Sequence, residues 1–479
     1  GLMGNGGRGG SGGASGTTGG TASGASGGAG GNAGSLFGDG GAGGNGGNAS
    51  TDNGKAAGGA GAEGGSGGQY YGAGGTGGNG GNAQSALGDA LGGNGGTGGS
   101  GGSTGGKGGN AGSAVSQAAG SATGGDGGNG GNGTATNSSG GNGGNGGNAS
   151  AAPLVNATGG SGGTGGDPGP GSGATGSRGS DGTVYATIAV GLTPFDLAVT
   201  PNGAQVYVTN FGSDSVSVID TTTYGVTTIA VGSTPISVAI TPNGAFAYVA
   251  NQGGDTVSVI NVAIGAISST IYTVGSAPSG VAISPNGATA YVTAVGSGAV
   301  SVITTAFNTV GPTITVGPGT WPFGVVFNPD QLLHPRAYVG NYNANAVSVI
   351  DTSTNTIVAT ISGLLSPSGL AVTPNGATLY VTNRAFPGTV SVIDTVTNTI
   401  TGTITVGSNP AEIAISPDGS TAYVTNVTDN NVSVIDTATN TVTGTIGTGA
   451  NPWGVAVSPD GNTLYVANRL DDNVWVIPL

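Results

Sequence analysis

The sequence predicts an all-β protein, a seven-bladed β-propeller closed by its N-terminal strand and preceded by a glycine-rich region. Three observations carry that expectation. A Tyr-Val pair recurs at Tyr207, Tyr248, Tyr291, Tyr338, Tyr380, Tyr423 and Tyr465, with gaps of 41, 43, 47, 42, 43 and 42 residues, and a period of this size marks a repeat architecture. Within each copy apolar and polar residues alternate with period two, the strand signal, and no helical period competes with it. Glycine is divided unevenly, 79 of the first 182 residues against 31 of the remaining 297. The chain therefore separates into a glycine-rich repeat region, 1–180, and a propeller region, 183–479.

The fifth copy shows the elements of one blade in order. SGLAVTP (Ser368 to Pro374), NGATLYVTN (Asn375 to Asn383), GTVSVID (Gly388 to Asp394) and NTITGTITVG (Asn398 to Gly407) read as four short strands. A PNG or PDG turn joins the first two in six copies, and NPDQLLHPR (Asn328 to Arg336) replaces it in the fourth. The seventh copy stops at NVWVIPL (Asn473 to Leu479), its third strand, while the stretch Thr183 to Val190 is a fourth strand without a body. Pairing the two closes the ring and removes open sheet edges.

In the first region the unit is Gly-Gly-X, and GGNA recurs at Gly30, Gly46, Gly80, Gly108 and Gly146. Proline is too scarce and the period is wrong for collagen. Two states remain open: a stack of polyglycine-II-like helices, in which bare backbones approach and hydrogen-bond, or a disordered chain.

Composition excludes several functions. The net charge is −14 and neither region has a basic run, so nucleic acid and anionic membranes are poor partners. With no cysteine and one histidine, His334, zinc-thiolate sites, iron-sulfur clusters and His-based triads are absent. No cofactor-binding motif is present, and no apolar run is long enough to span a membrane as a helix. The chain starts at Gly1 without a signal peptide and reads as a piece lacking its natural N-terminus.

The phrases VYVTN (Val206 to Asn210), LYVTN (Leu379 to Asn383), AYVTN (Ala422 to Asn426), SVIDT (Ser391 to Thr395) and SPDG (Ser416 to Gly419) resemble the YVTN family of β-propeller repeats. GGAGGNGGNA (Gly40 to Ala49) and GLMGNGGRGG (Gly1 to Gly10) resemble the glycine-rich region of the mycobacterial PE-PGRS proteins, whose PE domain is missing here. The second resemblance implies a cell-surface, wall-associated or secreted protein engaged in host or envelope interaction.

Two residues after the repeat's proline the copies carry Asp196, Ser237, Gly280, Gly324, Gly369, Glu412 and Gly454, a ring at one end of the channel. The same end gathers Phe195, Phe211, Trp321, Phe323, Tyr342, Arg384, Phe386, Trp453 and Arg469, aromatic and Arg types favoured in binding hot spots. Arginine occurs in the second-to-third-strand loop of copies five and seven only, and each faces a copy with an acid. This predicts two inter-blade ion pairs, Arg384 with Glu412 and Arg469 with Asp196. The leading functional expectation is a monomeric, non-enzymatic interaction protein, with a protein or glycan ligand at the channel mouth and the glycine-rich region as spacer or wall-associated stack. Two alternatives stand beside it: a lactonase-like hydrolase with a divalent cation in the channel, and a pure structural scaffold.

Overall fold

The computed structural model describes residues 2–116, 121–136, 138–151, 157–168, 170, 174, 175, 177, 178, 184–272 and 274–479. The chain forms two compact units, Gly1–Thr187 and Ile188–Ile477.

The glycine-rich unit is a coil whose successive turns stack in parallel. One sheet runs through Ser15–Thr17, Ala49–Thr51, Ala83–Ser85, Ala114–Ser116 and Ala149–Ala151, and another through Ala22–Ser23, Ala56–Ala57, Ala90–Leu91, Ala122–Thr123 and Ala157–Thr158. Alanine stacks on alanine in both, and Ala22, Ala49, Ala56, Ala83, Ala90, Ala114, Ala122 and Ala149 form one thin buried core. The Gly-Gly-X stretches lie between these strands and donate a backbone N–H at every third residue: Gly6, Gly9 and Gly12 to the carbonyls of Asp39, Ala42 and Asn45, at 2.8, 2.8 and 2.7 Å. Only glycine permits that approach, since a Cβ on Gly78 would lie 2.0 Å from the Gly44 carbonyl oxygen. The X position keeps its side chain clear, and Asn or Asp there accepts the N–H that the glycine rows leave over. Asn45, Asn79 and Asn110 receive in turn the N–H of Asn79, Asn110 and Asn145 at 3.0, 3.0 and 3.1 Å. Asp39 and Asp126 do the same for Ala73 and Ser161.

The second unit is the seven-bladed propeller. Blade one is Pro194–Val199, Gln205–Asn210, Ser215–Asp220 and Val226–Ala230, an antiparallel meander from the axis outward. Five further four-stranded sheets follow, and the seventh blade contributes Pro452–Val457, Thr463–Asn468 and Asn473–Pro478. Its outer place is taken by Val184–Ala189, beside Asn473–Pro478, and the Val190 N–H continues the pairing to the Asp472 carbonyl at 3.0 Å. Thr183, the expected first residue of that strand, lies outside the described residues.

Polar residues of the repeat lock blade to blade. The repeat tyrosines are buried, and the hydroxyls of Tyr248, Tyr291 and Tyr380 donate to Asn308, Asn355 and Asn440 of the following blade at 2.6, 2.5 and 2.7 Å. Those asparagines occupy the left-handed region, with φ near +54°, which Asn tolerates better than most residues. A second lock uses left-handed Asp or Asn in the second-to-third-strand turn. Asp214, Asp255, Asn345 and Asn430 accept the N–H of Thr234, Ala277, Ser366 and Asn451 in the next blade. Asp472 accepts that of Thr193 at 2.7 Å, so the closing seam carries the same lock as the interior ones.

Candidate active site at the channel mouth

Each innermost strand begins with an irregularity that decides where the ring residue points. In blade one the pairing jumps from Pro194↔Asn210 to Leu197↔Val208, and in blade six from Pro410↔Asn426 to Ile413↔Val424. Two residues thus stand against one, the signature of a bulge, which re-aims a side chain out of the regular alternation. Asp196 and Glu412 sit in these bulges. The freed backbone N–H of each is accepted by the repeat threonine of the neighbouring strand, Thr209 for Asp196 at 2.9 Å and Thr425 for Glu412 at 3.1 Å.

Both carboxyl groups line one cavity of about 120 Å³, walled by Phe195, Ser237, Ser279, Phe323 and Leu370, with Gly280 and Gly324 completing the ring. The side-chain-free positions make the room: Glu412 Oε2 lies where a Cβ on Gly369 would stand, 2.9 Å away. Asp196 is held by donors on both of its oxygens. Its Oδ1 accepts the Leu197 N–H at 2.8 Å and its Oδ2 accepts the Ser237 hydroxyl and the Val238 N–H, both at 2.9 Å.

The two acids titrate at different places. Burial raises Asp196 to about 6, against the pull of its hydrogen bonds from Val238, Ser237 and Leu197. Burial, then the charge of Asp196, raises Glu412 to about 8, opposed by Arg384 and the Ile413 N–H. Desolvation penalises the charged form, and a second carboxylate facing the same space adds to that penalty. Both shifts favour the protonated form, and the stronger one falls on Glu412.

The predicted ion pairs do not form. Ion pairs are seen elsewhere, at Lys55–Asp89 and Arg336–Asp351, but not between these arginines and acids. Arg384 instead donates from Nε to Asn409 Oδ1 at 2.9 Å and lays its guanidinium over Trp453, 4.4 Å from the ring centroid. Arg469 sits 4.7 Å from Trp453 and 4.8 Å from Phe195. The physical reason is that Asp196 already has three donors, while burial favours the neutral form of Glu412 and a flat cation gains on an aromatic face.

The predicted aromatic face splits in two. Phe195 and Trp453 are buried in the core, 4.5 Å apart, with Phe211 and Phe323 packed against them. Trp321 and Phe386 stay exposed, at 47% and 88%, and Tyr342 stacks on Trp321 at 6.3 Å. Ser237, Thr209 and Asn409 are the contributors that sequence reasoning did not single out for these roles. Ser237 was visible as a ring residue, but its service to the neighbouring acid was not.

The sequence pattern of the family described as lactonase, seven-bladed β-propeller, matches residues 185–282, 275–441 and 387–479. Together these stretches cover more than half of the chain. The chain belongs to this lactonase family. That overturns the expectation of a non-enzymatic protein, since the family is one of hydrolases. A solved structure with the same fold is the hydrazine synthase of Kuenenia stuttgartiensis: 25% identity, 60% of this chain and 96% of that one covered, TM-score 0.55. No curated protein matches the chain.

A divalent cation does not suit this channel. Hard cations take six or more oxygen ligands, carboxylates first among them, and the described residues contain no group of three or more His, Cys, Asp or Glu able to hold one. Asp196 has both oxygens committed to protein donors. No step is therefore routed through a metal. Among the described residues no helix is long and apolar enough to cross a membrane.

Proposed function

We propose that this chain hydrolyses a cyclic ester in the channel-mouth cavity by metal-free acid and base catalysis, with Asp196 as base and Glu412 as acid. The observation that carries the reading is two carboxyl groups in one cavity with titrations pushed apart to about 6 and about 8, the arrangement that assigns base and acid roles at neutral pH. Water attacks the ester carbonyl carbon and gives its proton to Asp196. Glu412 donates its proton to the ring oxygen as the acyl C–O bond breaks, and the product is the open-chain hydroxy acid. The proton on Asp196 then returns the pair to its resting state through solvent or Glu412.

The exposed Trp321 with its neighbour Tyr342, and Phe386 on the same end of the ring, would receive the C–H face of a saturated ring. A lactone derived from a saccharide fits that surface. Surface display or secretion, with the glycine-rich unit as spacer, completes the reading and rests on the repeat resemblance; protease shaving of intact cells tests it separately.

The test is base uptake at constant pH by the full chain on γ- and δ-lactones. Asp196→Asn and Glu412→Gln should each lower kcat by 100-fold or more, the scale of general acid and base catalysis, with the melting curve retained. No turnover on any lactone, or variants as fast as the parent, would remove the proposal.

A further inference from the structure

Beside the cavity, two buried hydrogen-bond donors stand with nothing to receive them, next to two guanidiniums. Arg469 Nε and Trp453 Nε1 are both buried and lack an acceptor. Arg384 spends its Nε on Asn409, and its Nη groups, like those of Arg469, meet no acceptor among the described residues. Both guanidiniums rest on the same indole, at 4.4 and 4.7 Å, and burial first, then the charge of Arg384, lowers the pKa of Arg469. Stacking fixes two like charges as neighbours although each repels the other, and neither has a carboxylate within ion-pair distance. An orphaned buried donor is costly, so such a cluster favours an acceptor in place. Water would satisfy the N–H groups but would leave two positive charges uncompensated.

We infer that Arg384 and Arg469, stacked on Trp453, form an oxyanion-binding site that takes the carboxylate released when the ester ring opens. The inference rests on the proposed reaction for the source of that anion, while the site itself stands on the arginine geometry. Planar guanidiniums suit carboxylate and phosphate oxygens in forked geometry. Phe195 connects the two places: it lines the cavity and lies under Arg469. Glu412 must stay protonated for the site to be attractive, because its ionised form would compete for Arg384. The site then retains product, and the enzyme is inhibited by its own hydroxy acid.

The experiment is calorimetric titration of the full chain at pH 7 with 4-hydroxybutyrate in one arm and inorganic phosphate in the other, alongside the Trp fluorescence change. Saturable binding of the carboxylate is expected, weakened at least tenfold in Arg469→Gln and in Arg384→Gln. Arg384→Lys, which keeps the charge but not the planar fork, should fall between. Asp196→Asn destroys catalysis in the proposed reaction but should bind the carboxylate as the parent does, which separates failure of the site from failure of the lactonase reading. Binding of phosphate alone would keep the oxyanion site and overturn its assignment to the ring-opened product. No saturable binding of either anion, or equal binding by parent and folded arginine variants, would overturn the site.

Discussion

The two units meet the same demand, a partner for every backbone polar group, with opposite means. The glycine-rich unit pairs bare backbone with bare backbone, and its only apolar core is a ladder of alanines. The propeller pairs strands within a blade and then joins blades through buried Tyr and Thr side chains and through the Asn and Asp of its turns. The difference teaches where each unit is vulnerable. In the first, any added atom at an inner glycine is an intrusion. In the second, the loss of a single polar group breaks one seam of seven.

The largest effect should therefore come from Gly78→Ala, whose Cβ would stand 2.0 Å from the Gly44 carbonyl oxygen. Overpacking with lost backbone hydrogen bonds belongs to the severe class, about 3 kcal/mol or more. The unfolding transition of the glycine-rich unit should disappear or shift strongly in denaturant. Gly444→Ala in an outer strand of the propeller meets nothing within 4 Å and should leave unfolding unchanged or slightly later. Equal effects from the two substitutions would erase the contrast.

A step smaller is Asp472→Ala, which strands the Thr193 N–H at the closing seam and should cost about 1–2 kcal/mol in propeller stability. Smaller again, Tyr248→Phe removes one inter-blade hydrogen bond, to Asn308, worth about 1 kcal/mol. Equilibrium urea unfolding of the propeller transition reads both. A cost for Asp472→Ala below that for Tyr248→Phe would show that closure depends little on this lock.

An effect of another kind, tied to no single contact, is a slope of stability with pH. Glu412 has its folded pKa raised from 4.5 to about 8, so between those values the native state binds more protons than the unfolded chain, and stability falls as pH rises. Asp196 adds the same sign between 3.8 and about 6. Exposed acids with lowered pKa, such as Asp418, held near 2 by the Ser416 hydroxyl and the Ser420 N–H, contribute the opposite sign at lower pH. Glu412→Gln should therefore gain stability on the parent steadily from pH 5 to 8. Parallel curves would mean that Glu412 is ionised throughout.

Much of the propeller was legible because its signal is local and repeated. Tyr-Val recurs in every blade, and a strand without a blade at one end matched a blade without a strand at the other. The candidate site was legible only as a set of positions. Asp196 and Glu412 stood out because five of seven ring residues are small or neutral, but no pattern announces the bulges that turn them into the channel. The arginines were placed at the right end and given the wrong partners. Arg384 is supported by Asn409 and Trp453 of the two following blades, and Arg469 by Trp453 of its own blade and Phe195 of the first; these read as an ordinary turn residue and ordinary core aromatics. In the glycine-rich unit the Asn ladder was hidden by its irregular step: Asn45 to Asn79 is 34 residues, Asn79 to Asn110 is 31, and Asn110 to Asn145 is 35.

The central claim is that the channel-mouth acids divide the work of ester hydrolysis, and the pH dependence of kcat/KM on a lactone substrate tests it most directly. An ionised Asp196 and a protonated Glu412 in the free enzyme predict a bell with limbs near 6 and 8, the apparent values belonging to the coupled pair. Glu412→Gln should abolish the alkaline limb along with most of the rate. A profile that rises steadily with hydroxide concentration through pH 8, or one that Glu412→Gln leaves unchanged in shape, would contradict the account.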